Sequence, residues 1–273
     1  MTMRTLAHCS DLHFGRHDPA IASALLESLN VSRPHLVVIS GDLTQRARGS
    51  QFLAARKFLD QIQAPKLIVP GNHDIPLFNA VGRLVAPFSN FSRYISRSVA
   101  GHQLFSDDEV AALGLNTVRR LNWKNGRVSE RQLAEMEAQF RLLPEHVWKV
   151  LVTHHPIALV EGARKFSRAQ RANAALIASL RCGVHLVLSG HSHHAVSGIV
   201  DDELAAEGSL LVVHAGTAIS TRTRWGGENS YNLIAVEPPH LSVTIMEWSA
   251  HAGFREGPRK RFVFDAAQWQ LDS

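Results

Sequence analysis

HLVVISGDLT, residues 35–44, is an apolar run from His35 to Ser40 that passes without a break into Gly41, Asp42 and a polar turn. That length and composition read as a buried strand, and the abrupt polar ending marks where the strand stops. The same construction stands upstream in RTLAHCSDLH (4–13) and downstream in KLIVPGNHD (66–74). Helical patterns fill the gaps. Asp18 caps a helix with Pro19 in its first position and Ile21, Leu25, Leu26 and Leu29 along one face, and Ser50 to Ile62 makes a second. Strand, helix, strand in repetition predicts parallel strands joined by crossover helices.

The rest of the chain extends this pattern and then changes it. Ser129 with Gln132 forms a capping box before a helix ending near Leu143, and Val147–Thr153 is a strand that runs into His154. Ser167 with Gln170 repeats the capping device, the helix behind it stops at Cys182-Gly183, and His185–Ser189 is a strand ending in GHSHH. From Val196 onward apolar stretches follow one another without helical patterns, which predicts antiparallel structure. Between Ile75 and His102 the residues Phe78, Val81, Val85, Phe88, Phe91 and Ile95 fall three or four apart, and Pro87 should split this insertion into two short helices. Its arginines, Arg83, Arg93 and Arg97, are expected to be solvated.

Composition sets outer limits. The chain has 273 residues, 45% hydrophobic and 19% charged, which excludes a disordered, fibrous or membrane-spanning protein. A net charge of +5 is only a mild bias toward anionic partners. Cys9 and Cys182 cannot form a disulfide framework, so both read as buried free thiols in a reducing compartment. With no signal peptide pattern and no linker, the expectation is one domain over residues 1–273, with a cap-like helical insertion at about 75–103, in the cytoplasm. The tail from Trp248 to Ser273 would complete a sheet edge or pair with a second subunit in a homodimer.

Sixteen histidines are the unusual entry in the composition. Several crowd the predicted strand ends together with carboxylates: Asp11 and His13, Asp42, Asn72 with His73 and Asp74, His154 and His155, then His191, His193 and His194. In an open α/β sheet the crevice beyond the carboxyl ends of the strands is where ligands bind. Carboxylate, imidazole and amide oxygen together suit borderline divalent metals such as Mn, Fe, Zn or Co. If the DxH and HxH segments are extended, alternate side chains face one cavity, and His155 and His194 point away from it. So many donors exceed one tetrahedral site and suit two ions that share a carboxylate.

DLH, GDLT, GNHD, THHP and GHSHH, in this order, resemble the signature blocks of the calcineurin-like metallophosphoesterase superfamily. The chain is most similar to its bacterial small phosphodiesterases of the class III cyclic-nucleotide type. The resemblance implies a four-layer α-β-β-α sandwich with two mixed β-sheets. It implies Asp11, His13 and His193 as ligands of one metal, Asn72, His154 and His191 as ligands of the other, and Asp42 as the bridge. His73 would face the substrate with Asp74 orienting its ring, and a metal-bound hydroxide would attack a small phosphodiester, a cyclic nucleotide or a glycerophosphodiester.

Two rival readings stand beside it. A nucleic-acid exonuclease of the same superfamily would need a continuous basic track for its polyanion, whereas the arginines here are scattered. A non-catalytic interaction module on the same fold would be expected to have lost ligands, and all seven stand. The remaining histidines, His8, His185 and His214 among them, read as ordinary core or surface residues.

Overall fold

The computed structural model describes residues 2–97, 103–121, 124–163, 167–200, 208–223 and 227–272. In chain order the first elements are β1 (Arg4–Cys9), α1 (Pro19–Ser32), β2 (Leu36–Ile39), α2 (Gly49–Leu59), β3 (Lys66–Ile68), α3 (Ala80–Val85) and α4 (Ser89–Tyr94). The middle of the chain forms β4 (Gln103–Ser106), β5 (Val110–Leu115), α5 (Glu130–Arg141), β6 (Trp148–Thr153), α6 (Ala172–Arg181), β7 (Val184–Ser189), β8 (Val196–Val200) and β9 (Leu210–His214). The last strands are β10 (Ser230–Glu237), β11 (His240–Ser249), β12 (Gly253–Asp265) and β13 (Gln268–Asp272).

These strands make two mixed sheets. One runs β13-β12-β11-β10-β1-β2-β3, the other β4-β5-β6-β7-β9-β8. Side chains alternate across a strand, and the alternation sorts the apolar residues into three cores. Ala7, Cys9, Val37 and Ile39 pack with Leu25, Phe52 and Phe58 under α1 and α2. Leu6, Leu36 and Val38 face the second sheet and meet Val150, Val152, Leu186 and Leu188. Leu151 and Val187 turn outward to Met136, Phe140 and Leu176 under α5 and α6. Helices, sheet, sheet and helices are therefore stacked in four layers, as expected, and each fully buried Leu or Phe contributes about 1.5–3 kcal/mol to holding them.

Local signals formed as the sequence implies where they compete with nothing. The Asp18 carboxylate accepts from the amides of Ala20 and Ile21, and the Ser129 hydroxyl from that of Gln132. Ser167 does not cap a helix. The Gln170 amide donates to Gly126 O and its carbonyl accepts from Val128, so this segment pairs with a neighbouring strand-like stretch, and α6 begins after Arg171 at a left-handed φ of 63°. β9 departs from the antiparallel expectation: it lies parallel to β7, Leu186 opposite Leu211, with β8 antiparallel on its other side. All five of its residues are buried, and such an unbroken apolar run suits a strand covered on both faces. β13 lies antiparallel to β12 and completes the sheet edge.

Pro87 does separate two short helices, but the pair packs unevenly. Phe88, Phe91 and Ile95 join the α1–α2 core, whereas Phe78, Val81 and Val85 are 71–80% exposed. Arg83, expected in solvent, is buried: its Nε donates to Arg120 O at 2.6 Å and its Nη1 to Pro76 O at 3.0 Å. Residues 98–102 of the predicted insertion lie outside the described residues.

Candidate metal centre

The parallel strands β1, β2 and β3 of one sheet and β6 and β7 of the other end at a common rim. Polar links stitch the two sheets there. His154 Nδ1 donates to Ser40 O at 2.7 Å, and the His191 amide donates to Asp11 Oδ2 at 3.0 Å. Asp11, His13, Asp42, Asn72, His73, Asp74, His154, His191 and His193 all sit on the loops that leave these five strands.

Those loops are not extended. Asp11, His13, Asp42, His191 and His193 all adopt positive φ, between 50° and 67°. Non-glycine residues hold this left-handed conformation rarely and at a cost, and clusters of them mark sites where the surroundings enforce an arrangement. Both members of DxH and HxH therefore converge through left-handed turns, not through strand alternation. Gly71 and Gly190 permit the close approach: a Cβ on Gly71 would collide with Asp42 Oδ1, and one on Gly190 with Ser10 Oγ.

The donors fall into overlapping groups. Asp11, His13 and His193 bring ligand atoms within 4.8 Å of one another, as do Asp11, Asp42 and His154. His193 Nε2 is 3.3 Å and His13 Nε2 3.6 Å from Asp11 Oδ1. Asp42 stands between the groups, with Oδ2 at 3.9 Å from His13 Nε2 and Oδ1 at 3.5 Å from His154 Nε2. Asn72 Oδ1 lies 3.2 Å from His154 Nε2. Asp11 Oδ1 and His13 Nε2 are buried without a hydrogen-bond partner. Such buried orphan groups are costly unless something else satisfies them, and an anionic oxygen beside imidazole nitrogens is the donor set of a divalent cation.

Supporting groups fix the donors. The Ser40 carbonyl holds the Nδ1 proton of His154, so Nε2 is the nitrogen that faces Asp42 and Asn72, and Thr217 Oγ1 lies 2.6 Å from His193 Nδ1. Ser10 Oγ donates to Asp11 Oδ2 at 2.6 Å. Thr217 carried no signal in the sequence, whereas Ser10 and Ser40 adjoin the motifs themselves.

Burial raises the cost of charge on Asp11 and Asp42, yet the surrounding imidazoles, His193 beside Asp11 and His154 beside Asp42, hold both carboxyls below the ordinary range. Reciprocally, burial opposes charge on His154 but Asp42 overrides it and pushes the imidazole up to about 9; His13 rises too, through Asp11 and Asp42.

His73 and Asp74 divide their roles differently from expectation. The His73 Nδ1 proton goes to Gln45 O at 2.9 Å, so Gln45 and not Asp74 orients the ring. Asp74 instead accepts from the amides of Leu43, Thr44 and Gly71 and from the Thr44 hydroxyl, and so ties two of the loops together. Burial, with Asp42 nearby, lifts its carboxyl to about 6 against the pull of those donors. His155, expected to point away, is buried beside His154 and His191.

Residues 4–195 match the family model for calcineurin-like phosphoesterases. The chain belongs to that family. It is 27% identical over 170 residues to the glycerophosphodiester phosphodiesterase GpdQ of Enterobacter lignolyticus, a match covering 56% of this chain and 58% of that protein. To a probable cyclic nucleotide phosphodiesterase of Synechococcus sp. it is 26% identical over 178 residues, covering 64% of each. The chain thus spans less than two thirds of the length of either relative. A dimetal phosphatase from Danio rerio shares the fold, with a TM-score of 0.65, 12% identity and coverage of 96% of this chain and 99% of that one. Among the described residues no helix is long and apolar enough to cross a membrane.

Proposed function

We propose that the protein is a metal-dependent phosphodiesterase that hydrolyses a small phosphodiester, of the cyclic-nucleotide or glycerophosphodiester type, at a dinuclear centre in the cytoplasm. The observation that carries this reading is Asp42, a buried carboxylate with one oxygen toward His13 and the other toward His154. In this proposal Asp11, His13 and His193 hold one ion, Asn72, His154 and His191 the other, and Asp42 both. Residues 1–273 act as one catalytic unit, with α3 and α4 as a cap beside the rim. The phosphodiesterase names of the two relatives, at 26–27% identity, support the substrate class.

When bound, two divalent ions, Mn, Fe, Zn or Co, neutralise phosphoryl oxygens and lower the pKa of a water toward 7. The protein's own contribution is positional. His73, its Nδ1 committed to Gln45 O, offers only Nε2 to the substrate, where it stabilises phosphoryl charge or protonates the leaving alkoxide. Burial holds His73 below the usual histidine value although Asp42 opposes this. Asp74 keeps the loops carrying Asp42 and His73 in register. The loops after β1, β2 and β3 supply Asp11, Asp42 and Asn72 from one sheet, and those after β6 and β7 supply His154, His191 and His193 from the other.

The test is a panel assay with each of Mn, Fe, Zn and Co against a chromogenic phosphodiester, its monoester, cyclic AMP and single-stranded DNA. Diester turnover should exceed monoester and DNA turnover. His73→Ala should lower kcat by about 10²–10⁴-fold with metal content unchanged, the usual span for a proton-transferring side chain. Absence of diester hydrolysis with every metal, or faster turnover of DNA, would contradict the proposal.

A further inference from the structure

THHP contributes two histidines, and only the first is needed for the arrangement above. His155 is nevertheless 2% exposed and set into the rim. Thr117 Oγ1 lies 2.8 Å from its Nδ1 and accepts its backbone amide at 3.3 Å, which anchors the ring from behind. Gly126 makes the seat: a Cβ there would come within 2.5 Å of the His155 ring. Nε2 is buried and has no hydrogen-bond partner. A buried imidazole nitrogen left in that state is a cost that an apolar side chain of similar size would avoid.

The surroundings of this nitrogen are metal-binding in character. One ring nitrogen each from His154, His155 and His191 lies within 4.8 Å of the other two. The ring centroids are 4.9, 4.8 and 5.1 Å apart, with interplanar angles of 80°, 47° and 78°. Three imidazoles converging from different directions are what a shared ion requires, since each must present a nitrogen edge at about 2.0–2.1 Å.

We infer that His155 is a further protein donor to the metal centre, joining His154 and His191 on the ion that Asn72 and Asp42 also approach. The inference rests on the phosphodiesterase reading of the rim. It makes the two halves chemically unequal: one has two imidazoles with Asp11 and Asp42, the other three imidazoles with an amide and one carboxylate. The nitrogen-rich half should prefer Zn, Fe or Co, while Mn is better tolerated at the carboxylate-rich half.

The test uses the full chain stripped with chelator and titrated with zinc, read by calorimetry and by X-ray absorption at one and two equivalents. In the wild type the first equivalent should show three imidazoles per zinc. His155→Ala and the volume-retaining His155→Phe should weaken one of the two sites by about 10–100-fold and lower that count to two. Thr117→Val, which leaves the ring in place but removes its anchor, should weaken the same site less, and it keeps the test open if the His155 variants do not fold. Both affinities unchanged in the variants, or an effect confined to the melting temperature of the metal-free protein, would overturn the inference while leaving the phosphodiesterase reading intact. A wild type that binds no metal would overturn that reading and this inference together.

Discussion

The strand-end rim and the α3–α4 pair are adjacent in sequence, since His73 and Asp74 lead directly into the helices, but they are built on opposite principles. Every candidate donor in the rim is buried or half-buried and held by at least one neighbour, with five residues in a left-handed backbone that only the whole loop set can enforce. The helix pair is anchored unevenly: Phe91 is fully buried against Phe52 and Arg83 reaches the carbonyls of Arg120 and Pro76, while Phe78, Val81 and Val85 stand largely in solvent. A rigid donor set and a loosely covered neighbour are the division expected if chemistry must be constant and substrate access adjustable. Substitutions in the rim should therefore act on metal and turnover, and those in the helix pair on stability or selectivity.

The largest effect should come from Asp42→Ala. It removes the carboxylate whose two oxygens face His13 and His154, and with it the charge that favours a cation between those two imidazoles. We expect metal content, measured by plasma emission, to fall below two ions per chain, and kcat/KM to drop by at least about 10³-fold, because charge stabilisation by both ions is lost together. Retention of both metals would place the bridge elsewhere and weaken the contrast between rim and helices.

How much of this could be read in the sequence depended on whether local or distant groups govern each residue. The strands and their polar endings were legible because a buried strand and its stop are set by hydrophobicity and the adjacent polar residues or glycine: the strand beginning at Arg4 stops at Cys9, just before Ser10 and Asp11. The residues that meet at the rim stand in five short blocks, and each block is local in the sequence. The way the donors converge was not legible, because the left-handed φ of Asp11 or His193 is imposed by contacts from other loops, such as the His191 amide on Asp11. His155 was assigned outward on the assumption of an extended strand end, and the close seat offered by Gly126 is a tertiary feature. Arg83 was taken as solvated because nothing near it in sequence reveals that the carbonyls of Arg120 and Pro76 await it. Ser167 shows the converse failure, a sound local capping signal overridden because Gln170 has a strand-like partner.

Phe91→Ala should cost about 3–5 kcal/mol in urea unfolding, the range for emptying a fully enclosed aromatic site. Metal content should be unchanged. A cost below about 1 kcal/mol, typical of a surface position, would mean that α4 is not the anchor of the pair.

Proton linkage gives the rim a further signature. His154, raised to about 9, binds its proton more tightly folded than unfolded, so its contribution to metal-free stability is complete below about 6.5 and is lost as pH rises through about 9. His8, held down to about 3 by burial with His214 adding to it, His185, held to about 4 by burial, and His214, also about 4, act oppositely. Their unfolded forms take up protons first, so stability falls as pH drops from about 6.5 toward 4, each group adding a slope of up to about 1.4 kcal/mol per pH unit. Urea midpoints of the chelated protein should pass through a maximum near pH 6.5–7, from the same principle. Loading zinc should flatten the alkaline limb alone, because a ligating imidazole has already given up its proton. An alkaline limb that persists with metal bound would remove His154 from the ligand set.

The smallest effect, and the one that separates the regions most cleanly, should follow Phe78→Ala. Phe78 is 80% exposed and makes a cation–π contact with Arg46, whose Cζ lies 5.1 Å from the ring centroid. Such a contact at an exposed site is worth about 0.5–1 kcal/mol, so the unfolding midpoint should barely move. Arg46 follows Gln45, whose carbonyl holds the His73 ring, and Phe78 therefore steadies a cation beside the residue proposed to face the substrate. Releasing Arg46 should change the ratio of kcat/KM between the chromogenic diester and cyclic AMP by about 2–5-fold, the kinetic equivalent of that energy, while metal content stays constant. If all substrates lose rate in equal proportion, the helix pair does not govern selectivity, and its exposed apolar face is independent of the chemistry at the rim.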